Sequence, residues 1–307
     1  MTSAASGCIL LLLGPVLLSA EAVDDAVLDL YRTPREGSLS YYWNLSESQR
    51  GTCFQWPEPA AGKNGVWTSV ALPVVSSQTF YDGRTCGMCI EFLHTDVGRG
   101  PRYLGSKHGG PEEHQPPANE RTRLFVNNAC GDCEYENQMD VSLNSRKGLW
   151  QATWVAVDCE PDTTPVQFIF GRGSSEHFIG LQARNLPIPV KGIEYYHPIN
   201  DKWYTMSQGF TGMFKFQATE TGLGWPDELL KPPLRVRVTS LKGQALETNV
   251  SRIGEAFEVI DSDPPIFFEG ITGDAPTGSC TAVEEASRTP CGPSDVASLS
   301  TTHHCAG

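Results

Sequence analysis

Short runs of branched and aromatic residues recur along most of this chain, and glycine, proline or asparagine separates one run from the next. Runs of this length and composition are typical of β-strands. Helical periodicity is weak, and one helical turn is expected at residues 142–150, with Ser142 as its cap. The pattern therefore predicts an all-β protein. Strands are predicted at residues 66–72, 89–93, 122–126 and 152–157, and then at 166–170, 178–183, 191–196, 213–218, 234–238 and 256–260.

Breaks in this pattern mark the ends of two domains. An apolar run at residues 9–18 is too short to span a bilayer, and the small residues Ala20 and Ala22 indicate a signal-peptidase site. After Gly270 the chain becomes rich in Gly, Ser, Thr and Ala, a composition that does not pack into a core. We therefore expect a signal peptide at 1–22, an N-terminal leader segment at 23–40, a first domain at 41–160, a linker at 161–165, a second domain at 166–270 and a tail at 271–307.

The net charge of −13 narrows the choice of partners. A protein this acidic does not bind nucleic acid or polyanionic surfaces through bulk charge. Uncharged partners such as neutral polysaccharides fit better, and no membrane anchor is expected because no later stretch is apolar enough. Two Asn-x-Ser sequons, at Asn44 and Asn249, agree with a secretory route and are expected to carry glycans.

The first domain holds six of the cysteines, and four of them form two Cys-x-x-Cys pairs. Such spacing suits either disulfides or a zinc site, and an oxidising secretory route favours disulfides. Spacing alone does not choose the pairing, and we expect no metal and no other cofactor. The six are Cys53, Cys86, Cys89, Cys130, Cys133 and Cys159, and the tail adds Cys280, Cys291 and Cys305.

Several motifs follow one another in the order in which they occur in the expansin family. The segment YDGRTCGMCIEF at 81–92 resembles the expansin turn that leads into Cys-Gly-x-Cys-aromatic-Glu. MDVS at 139–142 resembles that family's His-Phe-Asp-Leu-Ser element, and residues 154–159 resemble its closing strand. The resemblance covers about residues 41–269, and microbial expansin-like proteins match at least as well as plant ones. In the second half it is carried by RGSS at 172–175, LQARN at 181–185, GIEYY at 192–196, KW at 202–203 and LRVRVT at 234–239.

This resemblance implies a fold and a set of disulfides. The fold is a six-stranded double-psi β-barrel followed by an immunoglobulin-like β-sandwich that binds carbohydrate. The implied disulfides are Cys53–Cys86, Cys89–Cys159 and, less typical of the family, Cys130–Cys133.

The resemblance also assigns a sugar-binding groove to the first domain. Asp140 matches the family's groove acid and Thr52 its groove threonine. Asn128 falls near the family's second groove aspartate and Cys130 near its groove tyrosine, so two of the family's contacts differ here. For Asp140, the alternative is a capping role before a short helical turn.

A lone acid limits the chemistry of such a groove. Inverting hydrolysis needs a second carboxylate about 6.5–9.5 Å from the acid, so that a water molecule fits between them. The hydroxyl of Thr52 is a poor base at neutral pH, which disfavours hydrolysis. The alternative source of a base is the acidic loop with Asp132, Glu134 and Glu136, which is also readily explained as a solvated surface.

In the second domain, the expected sugar contacts are aromatic. Flat glucan chains bind on rings whose apolar faces match those of the sugars. The family has two tryptophans and a tyrosine there, and this chain has His177 and Phe178 at the tryptophan pair and Phe210 near the tyrosine. Trp225 is a further loop candidate. For each phenylalanine, the alternative is a place in the core.

These features predict a secreted, monomeric protein that binds cell-wall β-glucan and loosens it without hydrolysis. The glucan is cellulose, xyloglucan or a mixed-linkage β-glucan. One alternative is an enzyme of the inverting endoglucanase or lytic transglycosylase kind, with Asp140 as its acid. A second is a barwin-like carbohydrate-binding or defence module without loosening activity.

Overall fold

The computed structural model describes residues 20–42, 51–54, 68–75, 78–98, 121–142, 149–159 and 165–271. One α-helix in these ranges, α1 (Ala20–Arg32), precedes the strands. The strands of the first domain are β1 (Arg35–Tyr42), β2 (Thr68–Pro73), β3 (Cys89–Gly98), β4 (Thr122–Cys130), β5 (Gln138–Ser142) and β6 (Trp150–Val157). Those of the second are β7 (Gln167–Phe170), β8 (Phe178–Arg184), β9 (Val190–His197), β10 (Lys202–Thr205), β11 (Ser207–Gln208), β12 (Phe214–Gln217), β13 (Leu234–Ser240), β14 (Ala245–Val250) and β15 (Val259–Asp261).

The first domain is a closed six-stranded barrel in the order β1-β5-β2-β4-β3-β6. Two neighbouring pairs, β1 with β5 and β2 with β4, run parallel. Apolar residues two apart on a strand, such as Val70 and Leu72 of β2 or Met139 and Val141 of β5, point into the barrel core. The apolar side of α1 packs on the barrel core through Val27, Leu30 and Tyr31.

The barrel begins earlier than the predicted boundary at residue 41. Strand β1 and helix α1 occupy the segment 23–40 that we assigned to a leader, and that assignment was wrong because β1 pairs with β5, about a hundred residues away. The helical turn expected at 142–150 was also wrong at both ends. Ser142 ends β5 and Trp150 begins β6, while residues 143–148 lie outside the described ranges.

The second domain is a sandwich of two sheets. One has the strand order β10-β9-β13-β14 and the other β11-β12-β8-β7-β15. Between them lies a core of aliphatic and aromatic side chains that includes Phe168, Phe170 and Phe216. Five of the six strands predicted for this domain are present close to their predicted positions, and the sixth, predicted at 256–260, is β15 and begins only at Val259. Strands β10, β11 and β14 are additional.

Three disulfides join the six cysteines of the barrel. The pairs are Cys53–Cys86, Cys89–Cys159 and Cys130–Cys133. These are the pairs that the family resemblance implied, and the disulfide alternative to zinc therefore holds.

The two domains share a hydrophobic contact as well as polar ones. Ile188 and Leu241 of the sandwich lie within the core cluster of the barrel. The amide of Gln182, on β8, donates a 2.9 Å hydrogen bond to the carbonyl oxygen of Cys53. These contacts hold the five-stranded sheet against the barrel close to Thr52.

Several predicted features lie wholly or partly outside the described residues. They are positions 1–19 of the signal peptide, Asn44, most of the linker and, from residue 272 onward, the tail with its three cysteines. Asn249 lies in β14 and is half-buried. Within the described ranges, no helix is long and apolar enough to cross a bilayer.

Candidate functional site

The outer wall of the barrel carries a row of polar residues at one level. Asp140 of β5 pairs with Ser40 of β1 on one side and with Ala71 of β2 on the other. Ala71 in turn pairs with Asn128 of β4. Since neighbouring strands are about 4.8 Å apart, Asp140 and Asn128 lie about 10 Å apart across the wall.

Alternation along β5 places Asp140 on the outside. Its neighbours Met139 and Val141 are fully buried in the barrel core, whereas Asp140 is half-buried. Because Asp140 lies inside a strand, the helix-cap alternative is wrong. The carboxylate thus lies on the outer side of the barrel wall.

A β-bulge orients Asn128. Val70 pairs with Val126, but the next residue, Ala71, pairs with Asn128, so β4 carries one extra residue. Bulges of this kind redirect side chains and are common beside functional sites. The amide oxygen of Asn128 accepts hydrogen bonds from the hydroxyl of Thr52 at 2.7 Å and from its backbone N–H at 3.0 Å. The structure therefore brings together Thr52 and Asn128, two of the residues that the family resemblance assigned to the groove.

Two residues that the sequence analysis missed hold Asp140 in place. The hydroxyl of Ser40 donates to Oδ1 of Asp140 at 2.8 Å, and the amide of Gln138 donates to the oxygen of Ser40, also at 2.8 Å. Gln138 had a detectable signal, since residues two apart on a strand share a face. Ser40 had none, because it reaches Asp140 only through the β1–β5 pairing.

Burial raises the pKa of Asp140 to about 6 from its ordinary value of 3.8. The hydrogen bond from Ser40 acts in the opposite direction, and the nearby charge of Asp132 adds to the increase. A carboxyl with this pKa is partly protonated in mildly acidic solution, so it can donate a hydrogen bond as well as accept one.

Asp140 is not a solitary carboxylate. Single oxygen atoms of Asp132 and Asp140 and the sulfur of Cys130 all lie within 4.8 Å of one another. The Cys130–Cys133 disulfide packs against Ala71 and places the turn with exposed Asp132 beside Asp140. Of the three acidic loop residues, Asp132 is thus the one that adjoins the site. We call Ser40, Thr52, Asn128, Asp132 and Asp140 the barrel site.

The spacing of this pair restricts what it can catalyse. An inverting mechanism needs carboxyl groups about 6.5–9.5 Å apart, with room for a water molecule between them. Asp132 and Asp140 approach more closely than that. Further along the wall, Asn128 and Thr52 offer an amide and a hydroxyl, which exchange hydrogen bonds but are poor bases for activating water.

The sandwich brings three of its four predicted sugar contacts to one end. His177 is exposed and Phe178 half-buried at the start of β8. The carbonyl oxygen of His177 accepts a hydrogen bond from Ala218, and that of Glu176 accepts one from Leu230. These bonds join the turn before β8 to the segment that carries Trp225, whose side chain is 75% exposed.

Phe210 lies elsewhere, at the domain junction. Its ring packs on Phe80 of the barrel with centroids 5.1 Å apart, although it is 46% exposed. Phe178 lies on the outer face of its sheet, since Ile179 and Leu181 on either side of Gly180 point into the core. Phe178 is therefore available at the surface, whereas Phe210 contributes to contact between domains.

Comparison with solved structures identifies proteins with a similar fold. The crystal structure of an apo expansin from Clavibacter michiganensis matches with a TM-score of 0.52 and 19% identity, covering 74% of this chain and 95% of that one. A mutant of the same expansin in complex with cellohexaose matches with a TM-score of 0.52, 18% identity and the same coverage. This chain thus has the two-domain fold of an expansin, a closed barrel followed by a sandwich. No protein-family model and no curated protein sequence matches it.

Proposed function

We propose that this chain is a secreted, expansin-like protein that binds cellulose-type β-glucan and loosens its packing without cutting it. The observation that carries the proposal is the barrel site. A half-buried acid with a raised pKa faces an amide and a hydroxyl on the same wall, rather than a second carboxylate at water-spanning distance. Such a set can exchange hydrogen bonds with sugar hydroxyls on both sides of a chain.

Two further findings support this function. The fold is that of a protein solved in complex with cellohexaose. The surface of the second domain also offers two aromatic side chains, half-buried Phe178 and exposed Trp225, to which the apolar faces of glucose rings can bind. A neutral polymer suits a protein with a net charge of −13 better than an anionic one does.

The test measures binding and sugar release with one preparation of the full chain. We expect the protein to sediment with insoluble cellulose and to weaken filter paper while releasing no reducing sugar. Asp140→Asn should weaken both binding and loosening, about tenfold in affinity, because the amide nitrogen that replaces the second carboxylate oxygen donates hydrogen bonds but cannot accept one from a sugar hydroxyl. The matched control is Asp25→Asn, at an exposed position of α1, which should change neither. Reducing-end release at catalytic turnover, abolished by Asp140→Asn, would overturn the proposal.

A second candidate function follows from the Asp132–Asp140 pair. Retaining glycosidases hold their two carboxyl groups about 5–5.5 Å apart, and the approach of these two aspartates within 4.8 Å is compatible with that spacing. A glycan-cleaving enzyme of the retaining kind would therefore use this pair. Its signature is sugar release from soluble β-glucan that Asp132→Asn and Asp140→Asn both eliminate.

The remaining features of the proposal concern the state of the protein. We propose that it is extracellular, acts as a monomer without a metal, and carries glycans at Asn44 and Asn249. Mass spectrometry of protein from a eukaryotic secretory host should show both glycans and a start near Val23. Light scattering at micromolar concentration should give the monomer mass, and a stable dimer would contradict this part.

A further inference from the structure

Two phenylalanines, one from each domain, meet at the domain junction next to Thr52. The ring centroids of Phe54 and Phe257 are 5.3 Å apart, with an angle of 36° between the ring planes. Both side chains are half-buried, so each ring packs on the other while part of its surface stays open to solvent. The pair therefore forms an apolar surface that belongs to both domains.

Both residues have a backbone conformation that bulky side chains rarely adopt. Phe54 has a φ of 53° and Phe257 a φ of 66°, which is the left-handed region. Such conformations persist where surrounding contacts enforce them, and they cluster at ligand-binding positions. Here the N–H of Phe54 donates to Gly51, and the N–H of Phe257 donates to Phe170 at 2.7 Å. Two independent turns thus direct the two rings to one place.

The loop that carries Phe257 is braced from both sides. Arg252 forms an ion pair with Glu258, whose carboxylate also accepts the N–H of Glu255 at 2.9 Å. The guanidinium of exposed Arg172 lies 5.4 Å from the centre of the Phe257 ring, within cation–π distance. Two aromatic rings beside a group rich in hydrogen-bond donors suit a neutral sugar, which has apolar faces and hydroxyl edges.

The aromatic pair lies between the two regions that the proposed function assigns to glucan. On the barrel side, Phe54 is two residues from Thr52 of the barrel site. On the sandwich side, Gln182 bonds to the carbonyl of Cys53, and Phe178 lies four residues before Gln182 on the same face of β8. At about 3.3 Å per residue this is a distance of about 13 Å. A chain that contacts both regions has to pass the junction.

We propose that Phe54, Phe257 and Arg172 form a sugar-stacking subsite over which a β-1,4-linked glucan chain crosses from the barrel to the sandwich. The inference rests on the proposed function and adds the path of the chain.

Calorimetric titration of the full protein with cellohexaose and with cellotriose tests the subsite. Phe257→Ala should weaken cellohexaose binding about tenfold, with a smaller change for cellotriose, which is too short to span both domains. Phe257→Leu keeps apolar packing but lacks a flat ring, and it should lose nearly as much affinity. Phe267→Ala is the control, since this phenylalanine of the same domain is 57% exposed and plays no part in the subsite.

The possible results distinguish failure of the subsite from failure of glucan binding as a whole. If wild-type protein binds cellohexaose and Phe257→Ala binds equally well, the pair is a packing contact only and the subsite is wrong. If Phe257→Leu binds cellohexaose as tightly as wild type does, apolar packing between the domains is sufficient for binding and ring stacking is excluded. If wild-type protein binds no cellohexaose, the proposed function fails and this inference fails with it.

Discussion

Asp140 links the chemistry of the barrel site to the stability of the fold. Its folded pKa of about 6 exceeds the ordinary value of 3.8, so the folded state binds a proton more tightly than the unfolded chain does. The stability that this group contributes is full below about pH 4 and is lost as the pH rises through 6. At neutral pH the carboxylate of Asp140 therefore contributes less to stability than its protonated form does at acidic pH.

Replacing Asp140 should reveal this effect. Asp140→Asn keeps an oxygen that accepts the hydrogen bond from Ser40 and removes the charge. We expect the variant to be more stable than wild type at pH 8 by about 1–3 kcal/mol, and to differ little at pH 4. Urea unfolding at the two pH values measures the difference. If the variant were stabilised equally at pH 4 and pH 8, the pKa of Asp140 in the folded protein would not be raised.

Asp132 should act on Asp140 through charge alone. Its carboxylate lies within 4.8 Å of Asp140 and favours the protonated form of its neighbour. Asp132→Asn should therefore lower the pKa of Asp140, with burial still holding it above 3.8. Carbon-13 NMR titration of the side-chain carboxyl would show the shift. The control is Glu134→Gln, at an exposed position on the same loop. An equal shift in the pKa of Asp140 from both variants would mean that the short distance between Asp132 and Asp140 is unimportant.

At the scale of elements, a tight turn of the barrel docks on a tight turn of the sandwich. Gly83 ends the 3-10 turn Tyr81–Gly83 with a φ of 88°, and a Cβ there would lie 2.5 Å from the carbonyl oxygen of Phe210. The carbonyl of Gly83 accepts a hydrogen bond from the side chain of Gln208. Glycine is needed at this position both for its conformation and for the close approach of the partner backbone.

Alanine substitution separates these two requirements. Gly83→Ala should lower the free energy of unfolding by more than Gly243→Ala does, and the difference should be about 1–3 kcal/mol. Gly243 has a similar φ of 90° but nothing within 4 Å of an added Cβ, so it reports conformational strain alone. Denaturant unfolding of the two variants gives the comparison. Similar losses of stability in the two variants would show that the sandwich turn at Phe210 moves aside for the added Cβ at little energetic cost.

At the scale of the whole molecule, the domains share part of a core. Ile188 and Leu241 extend from the sandwich into the barrel cluster, and the buried carboxylate of Asp24 on α1 lies 3.3 Å from the ammonium of Lys191. Shared apolar burial couples the unfolding of the two units, because neither can open without exposing surface of the other. A fixed domain arrangement is also what a binding surface across both domains needs.

This coupling can be tested by calorimetry. Wild type should unfold in one thermal transition. Ile188→Ala should remove about 2–5 kcal/mol of stability and divide the unfolding into two transitions, because it weakens the contact between domains. Ile179→Ala has the same chemistry at an equally buried site inside the sandwich, and it should lower that domain's stability without the same loss of contact. Two transitions in wild type would show that the shared core is too small to couple them.

The sequence by itself determined what depends on local pattern. Alternating apolar residues and turn formers located most strands of the sandwich and four of the barrel strands, since each strand has to cover one side of a core. Motif order also pointed to Asp140, Thr52 and Asn128, and it implied the three disulfides that the structure contains.

Tertiary structure decided what depends on contacts between distant segments. The pairing of β1 with β5 brings Ser40 to Asp140 across 100 positions, and the Cys130–Cys133 turn brings Asp132 beside the same carboxylate. Strand β1 gains its stability from packing on the barrel rather than from a strong local pattern. Helix α1 does carry a local signal that the sequence analysis missed, since Val27, Leu30 and Tyr31 lie at helical spacing on the side that packs on the barrel. The meeting of Phe54 and Phe257 likewise follows from the docking of two domains, because no spacing along the chain encodes which surfaces will face each other.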